Sequence, residues 1–342
     1  MNHARATLFV LLAAVALLLW LAPDVLLALF AGLLLAIALR AAAVPIARRV
    51  PWVGEVGAVL GVSLVILVIL GTGAWYGASA LAEEARQFAD DLPRAWAELT
   101  RRLGSLPGAD RVREMLSGAA PDASGAASAA LRGVSGTFGA LGTALLVLIV
   151  GIYLAADPET YRGGFLRLLA PPLRPRAEAT LDSVADTLRG WLLGQGFAMI
   201  VTGVLTFLGL WALGVPLAGL LSVITAIVGF IPYIGPIVGG LPAVLIALSQ
   251  DPSLVPWVIA LFFVVQNVEG NILTPLVQQR AADVPPVLLL AAQALFGSGV
   301  GIIGVVVAAP GAAAAMAAIR TGYVEAWVED PAMADDAPDA RA

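Results

Sequence analysis

Long apolar runs separated by short polar stretches dominate this chain. They cover about 8–21, 25–39, 57–80, 137–156, 189–213, 217–248, 253–272 and 286–319. Apolar stretches of about 18 residues or more are candidates to cross a bilayer. The pattern predicts an all-α polytopic integral membrane protein with about eight transmembrane helices. The sixth and eighth runs hold 32 and 34 residues. As straight helices they would be roughly 50 Å long, against a hydrocarbon core of ~30 Å. Both segments are therefore expected to be broken or re-entrant.

Charge orients the spans. Arg5 precedes the first run, which looks like a signal peptide, but only Ala22-Pro23-Asp24 separates it from the second, so an uncleaved helical hairpin is expected. Arg40, Arg48 and Arg49 follow the second run and predict a cytoplasmic loop, with the N-terminus on the same side. The third run ends at Trp75-Tyr76, an interfacial pair. Beyond it, Phe88, Leu92, Trp96, Leu99 and Leu103 recur at steps of three and four. They predict an amphipathic helix that extends the third span out of the bilayer. With the Gly/Pro/Ala/Ser-rich stretch after Gly104 it forms an outside, periplasmic insertion at 83–133.

Asp157-Pro158-Glu159 is a helix-start signal. Residues 157–188 alternate arginines with leucines and acids, and predict short amphipathic helices on the cytoplasmic surface. Residues 1–322 thus read as a transmembrane permease domain and 323–342 as an acidic, disordered tail. Eight crossings put both termini inside. They also put Arg280 in an outside loop, a mild departure from the positive-inside trend.

Composition narrows the chemistry. Hydrophobic residues make up 60% and charged residues 13%, far from a soluble domain. There is no cysteine, the single histidine is His3, and every basic side chain is arginine. Thiolate sites, serine–histidine catalysis and a lysine-dependent Walker A loop are excluded. A net charge of −5 argues against nucleic acid. No enzyme activity and no cofactor are expected.

Two features can carry transport. The first is the glycine–proline break: Gly229, Pro232, Tyr233, Gly235, Pro236 and Gly239, with Gly240 and Pro242 behind them. Each proline removes an N–H and crowds the preceding turn. Freed carbonyls survive in lipid only where protein, water or a ligand meets them, and transporters place sites at such breaks. A packing kink is the plainer reading. The second is the polar constellation Gln266, Asn267, Glu269 and Asn271, closing at Thr274-Pro275. Glu269 is the only acid within the apolar part of the last four spans, a candidate proton or cation carrier. Alternatively the constellation is the wet end of the seventh helix. Gly297, Gly299 and Gly301 mark a further break in the eighth run. Gln195 and Gln293 are read as interhelical hydrogen-bonding groups.

The string Gly-Phe-Ile-Pro-Tyr-Ile-Gly-Pro (229–236) is followed by Gln-Asn-Val-Glu-Gly-Asn-Ile-Leu-Thr-Pro (266–275) and by the closing Leu-Phe-Gly-Ser-Gly-Val-Gly-Ile-Ile-Gly. Together with Asp157–Arg162 and Leu188–Trp191 these resemble the autoinducer-2 exporter family of PerM-like permeases, over roughly residues 5–322. The resemblance implies a bacterial inner-membrane, multi-pass permease acting as a homo-oligomer. It implies a small-molecule or ion substrate: autoinducer-2 in some members, sodium or lithium against protons in others. Without an ATP-binding module, facilitated or ion-coupled transport is expected. Few buried acids weaken the antiporter reading. A non-transport membrane scaffold, engaging partners through 83–133 and 158–188, is the alternative of a different class.

Overall fold

The computed structural model describes residues 23–104, 137–273 and 284–328. The predicted first span at 8–21, the Gly-rich part of the insertion, Thr274-Pro275, Arg280 and the tail beyond Val328 lie outside the described residues. Every described element is helical: α1 (Pro23–Arg49), α2 (Gly54–Gly104), α3 (Thr137–Ala156), α4 (Pro158–Leu168), α5 (Arg174–Ala212), α6 (Ala218–Val228), α7 (Gly235–Gln250), α8 (Val255–Val268), α9 (Pro286–Val300) and α10 (Ile302–Ile319). Among the described residues, five helical stretches are long and apolar enough to cross a membrane. The number is six if the bent pair α3–α4 counts as one span. The chain is an all-α, multi-pass membrane protein.

Several boundaries differ from expectation for local reasons. The third span and its amphipathic extension are one 51-residue helix, α2, with Pro93 inside it. At 1.5 Å per residue it is roughly 75 Å long, so much of it projects beyond any bilayer. Only the first of the predicted short cytoplasmic helices, α4, is separate. The second is continuous with the fifth span as the 39-residue α5, since no helix-ending residue intervenes once Pro175 has taken its place in the first turn. At the other end, π-helical backbone continues α10 through Arg320–Val328, past the expected boundary at 322.

Contacts divide the described residues into two units. The first holds 23–65, 143–194 and 284–328. Here α1 and α3 run parallel, and glycines set their close approach. A Cβ on Gly32 would stand 2.6 Å from Val150 Cγ1, and one on Gly151 2.7 Å from Leu35 Cδ2. Ala36, Leu39, Ala43, Ala58, Val59 and Ala155 are buried between α1, α3 and the start of α2. Small side chains let backbones come close where lipid offers no hydrophobic drive for association. Helices α9 and α10 pack on each other across Gly301, where φ is 72°. The break is this one residue; Gly297 and Gly299 lie within α9.

The second unit holds 66–104, 137–142 and 195–273. Its centre is the long sixth run, folded back on itself as α6 and α7. Gly235 abuts Val228 and Gly229, while Gly239 abuts Thr225, so the partners march in opposite directions and the pair is an antiparallel hairpin. Leu221, Ala243, Ile246 and Ala247 are buried along it with Leu210 and Val258. At 11 and 16 residues, neither arm reaches the ~20 residues of a full crossing.

Candidate functional site

The hairpin turn, Gly229 to Ile234, joins α6 to α7. Tyr233 carries φ 67°, a left-handed conformation rare for a bulky side chain. Pro232 lies in this turn, outside any helix. Pro236 sits in the first turn of α7 and Pro242 inside it. The expectation that Pro232 and Pro236 both break the helix is corrected: a proline in a first turn removes only an N–H that has no partner within the helix. The chain reversal centres on Tyr233, and the close approach on Gly235.

Helix α5 presents a polar seam to this region. Gln195, Thr202 and Thr206 recur at steps of seven and four, so they share one helix face. Gln195 Nε2 donates to the Gly229 carbonyl at 2.8 Å. That carbonyl, at the C-cap of α6, is of the kind a helix end leaves without an intrahelical partner. Two turns further along, Thr202 Oγ1 donates to Glu269 Oε2 at 3.4 Å, a long bond. The glycine–proline turn and the acid are thus reached by one face of one helix.

Glu269 is half-buried and opens a π-helical turn, Glu269–Leu273. Such turns are uncommon and concentrate at functional sites. The predicted constellation does not stay together. Helical residues advance about 100° each, so Asn267 and Glu269 point roughly opposite ways. Gln266, Asn267 and Asn271 are exposed. Asn267 Nδ2 donates to the Phe263 carbonyl at 2.8 Å, and Asn271 Nδ2 to Asn267 Oδ1 at 3.2 Å. These two asparagines line a shallow groove of about 320 Å³ with Phe263, Val264, Val268 and Ile272. Gly297, Gly299 and Gly301 belong to the other unit.

Sequence reasoning missed the buried hydroxyls. Thr202, Thr206, Ser222 and Thr225 are all buried. Ser222 and Thr225 donate to carbonyls of their own helix, whereas Thr206 Oγ1 has no partner among the described residues. Helical spacing inside apolar runs was the available signal. Glu84, in the projecting part of α2, was also missed. Its carboxylate accepts from Leu220 N at 2.7 Å, near the start of α6, where Leu217 offers no side-chain cap. A carboxylate is favourable at a helix N-terminus. Gly219 leaves room for it, since a Cβ there would stand 3.3 Å from both carboxylate oxygens. Among the described residues no group of histidine, cysteine, aspartate and glutamate side chains could hold a metal ion.

The model of the AI-2E family transporters matches residues 8–323. The chain belongs to this family. Similar AI-2E-like sequences include two Bacillus subtilis proteins, YrrI and YueF, each named provisionally as a transport protein. YrrI is 32% identical over 47% of this chain and 46% of its own length. YueF is 29% identical over 52% and 49%. The chain thus spans about half the length of these two relatives. The Mycobacterium tuberculosis protein MT0215, also provisionally a transport protein, is 28% identical over 81% of this chain and 78% of its own length.

Proposed function

We propose that this protein is a bacterial inner-membrane permease that moves a small solute by facilitated or ion-coupled transport, with the α6–α7 hairpin and Glu269 in the pathway. The observation that carries this reading is the α5 seam. Gln195 holds the hairpin carbonyl and Thr202 the acid, so one face of α5 bears on both the hairpin turn and Glu269. Family membership supports transport as the role. Sodium or lithium exchange for protons is a narrower version of the same reading. A homo-oligomer is part of the proposal.

Both termini are assigned to the cytoplasm. Arg40, Arg48 and Arg49 support this at the end of α1. So does Thr321, whose hydroxyl donates to Ser183 Oγ at 3.0 Å near the arginine-rich start of α5. The projecting part of α2 is then outside, and the bond between Glu84 and Leu220 N supports an outside start for α6 as well. As a re-entrant hairpin α6–α7 returns to the outer face, and α8 crosses inward.

Two experiments test the proposal. Purified protein in sealed vesicles should carry at least one of autoinducer-2, sodium ion or a panel of small organic solutes. No flux of any of them leaves the scaffold reading in place. Separately, Ser253→Cys, between α7 and α8 in a chain free of native cysteine, should react with an impermeant thiol reagent added outside intact cells. Reaction only after lysis would mean that the sixth run crosses the membrane once.

A further inference from the structure

Helix α4 turns 89° from α3 across Asp157. If α3 crosses the membrane, α4 lies in its plane. The turn is built locally: Asp157 accepts from Thr160 N at 3.2 Å and from Thr160 Oγ1 at 2.6 Å, capping α4, with Pro158 in the first turn. These bonds hold the Asp157 carboxyl below its ordinary pKa. The cap is therefore present above the unfolded-state value, and is lost only as pH falls through the lower folded one.

One side of α4 is anchored to protein. Arg162 donates to Asp182 at 2.6 Å and to Glu178 at 3.0 Å on α5. Another side is apolar and uncovered. Tyr161, Phe165 and Leu168 follow at steps of four and three, and are 46%, 42% and 61% exposed. Arg167 flanks this stripe on the side away from Arg162, and is exposed. The same end of this unit carries more of the same chemistry. Arg40 Nη1 donates to the Ala155 carbonyl at 3.0 Å, which aligns the end of α1 with the end of α3. Arg48 and Arg49, both exposed, lie beyond it, followed by Trp52 at 88% exposure. Glu55 is paired with Arg40 at 2.9 Å, and the exposed Glu159 stands in the first turn of α4, at the end away from Arg167. An in-plane amphipathic helix with an uncovered aromatic stripe and flanking arginines matches the acyl–headgroup boundary of an anionic leaflet.

We propose that α4 with Arg167, together with Arg48 and Arg49 at the same end of the unit, is a docking edge for anionic phospholipid. The apolar stripe seats between the upper acyl segments, and the arginines meet headgroup phosphates as bidentate donors. Charge complementarity and the 89° turn decide for lipid over a second copy of the chain, whose matching edge would bring arginines against arginines.

The test uses the full chain in nanodiscs with a fluorophore on Phe165→Cys. A mixed bilayer contains phosphatidylglycerol and phosphatidylcholine, with one or the other brominated. Brominated lipid of either kind should quench the fluorophore, and brominated phosphatidylglycerol should do so several-fold more strongly at equal mole fraction. Replacing Arg48, Arg49 and Arg167 with glutamine should remove the preference and keep the quenching. A fluorophore quenched by neither lipid would mean that protein covers the face. Equal quenching by both lipids, or a preference that survives the triple replacement, would also overturn the proposal. A helical circular dichroism spectrum shows that each variant has folded.

Discussion

Glu269→Gln should reduce solute flux in reconstituted vesicles to the level of protein-free vesicles, or leave a residual flux that no longer varies with pH. Glutamine keeps the size of the side chain and can still accept from Thr202, but it does not titrate and carries no charge. The helix and the hairpin should survive, so membrane insertion and the circular dichroism spectrum should match the parent protein. Thr202→Val is the partner measurement. It removes the hydroxyl donated to the carboxylate while leaving the acid in place, so it should shift the pH profile without erasing it. Unaltered rate and pH profile in Glu269→Gln would end the carrier role and leave the acid as a polar helix end. Asn267→Ala, on the opposite side of α8, should change neither the pH dependence nor the fold.

A large structural effect is expected at Gly235. A Cβ there would sit 2.6 Å from the Val228 carbonyl oxygen and 2.8 Å from Gly229 Cα. Both are backbone atoms, at the end of α6 and the start of the turn, so no side chain can swing aside and the hairpin must open. Overpacking of this kind costs about 1–3 kcal/mol or more. Gly235→Ala should therefore lower the unfolding temperature of the purified protein markedly, and should also raise the reactivity of a cysteine placed in the turn. Pro236→Ala, one residue on, should cost under about 1 kcal/mol, since it gives up only the proline's restriction of the unfolded chain. Equal destabilisation by the two substitutions would mean that proline rigidity, and not close approach, holds the turn.

The class of structure, and the places where it departs from straight helices, are written in the order of residues. An apolar run of 32 residues cannot stand as one helix in a ~30 Å core, so a break near 229–236 was legible from length and proline alone. The α3 boundaries and the Asp157-Pro158 start of α4 were legible because caps and first-turn prolines act within four residues. The extension of α2 was legible from its apolar periodicity. What the break does depends on packing. A kink and a hairpin have the same local sequence; the difference is whether Gly235 and Gly239 close on Val228 and Thr225. The partners of the polar groups were hidden for the same reason. Gln195 and Gly229 are 34 residues apart, Thr202 and Glu269 67, and Glu84 and Leu220 136. Buried polar atoms must find partners, but which ones they find depends on how the helices pack, and residue spacing along one chain holds no record of that.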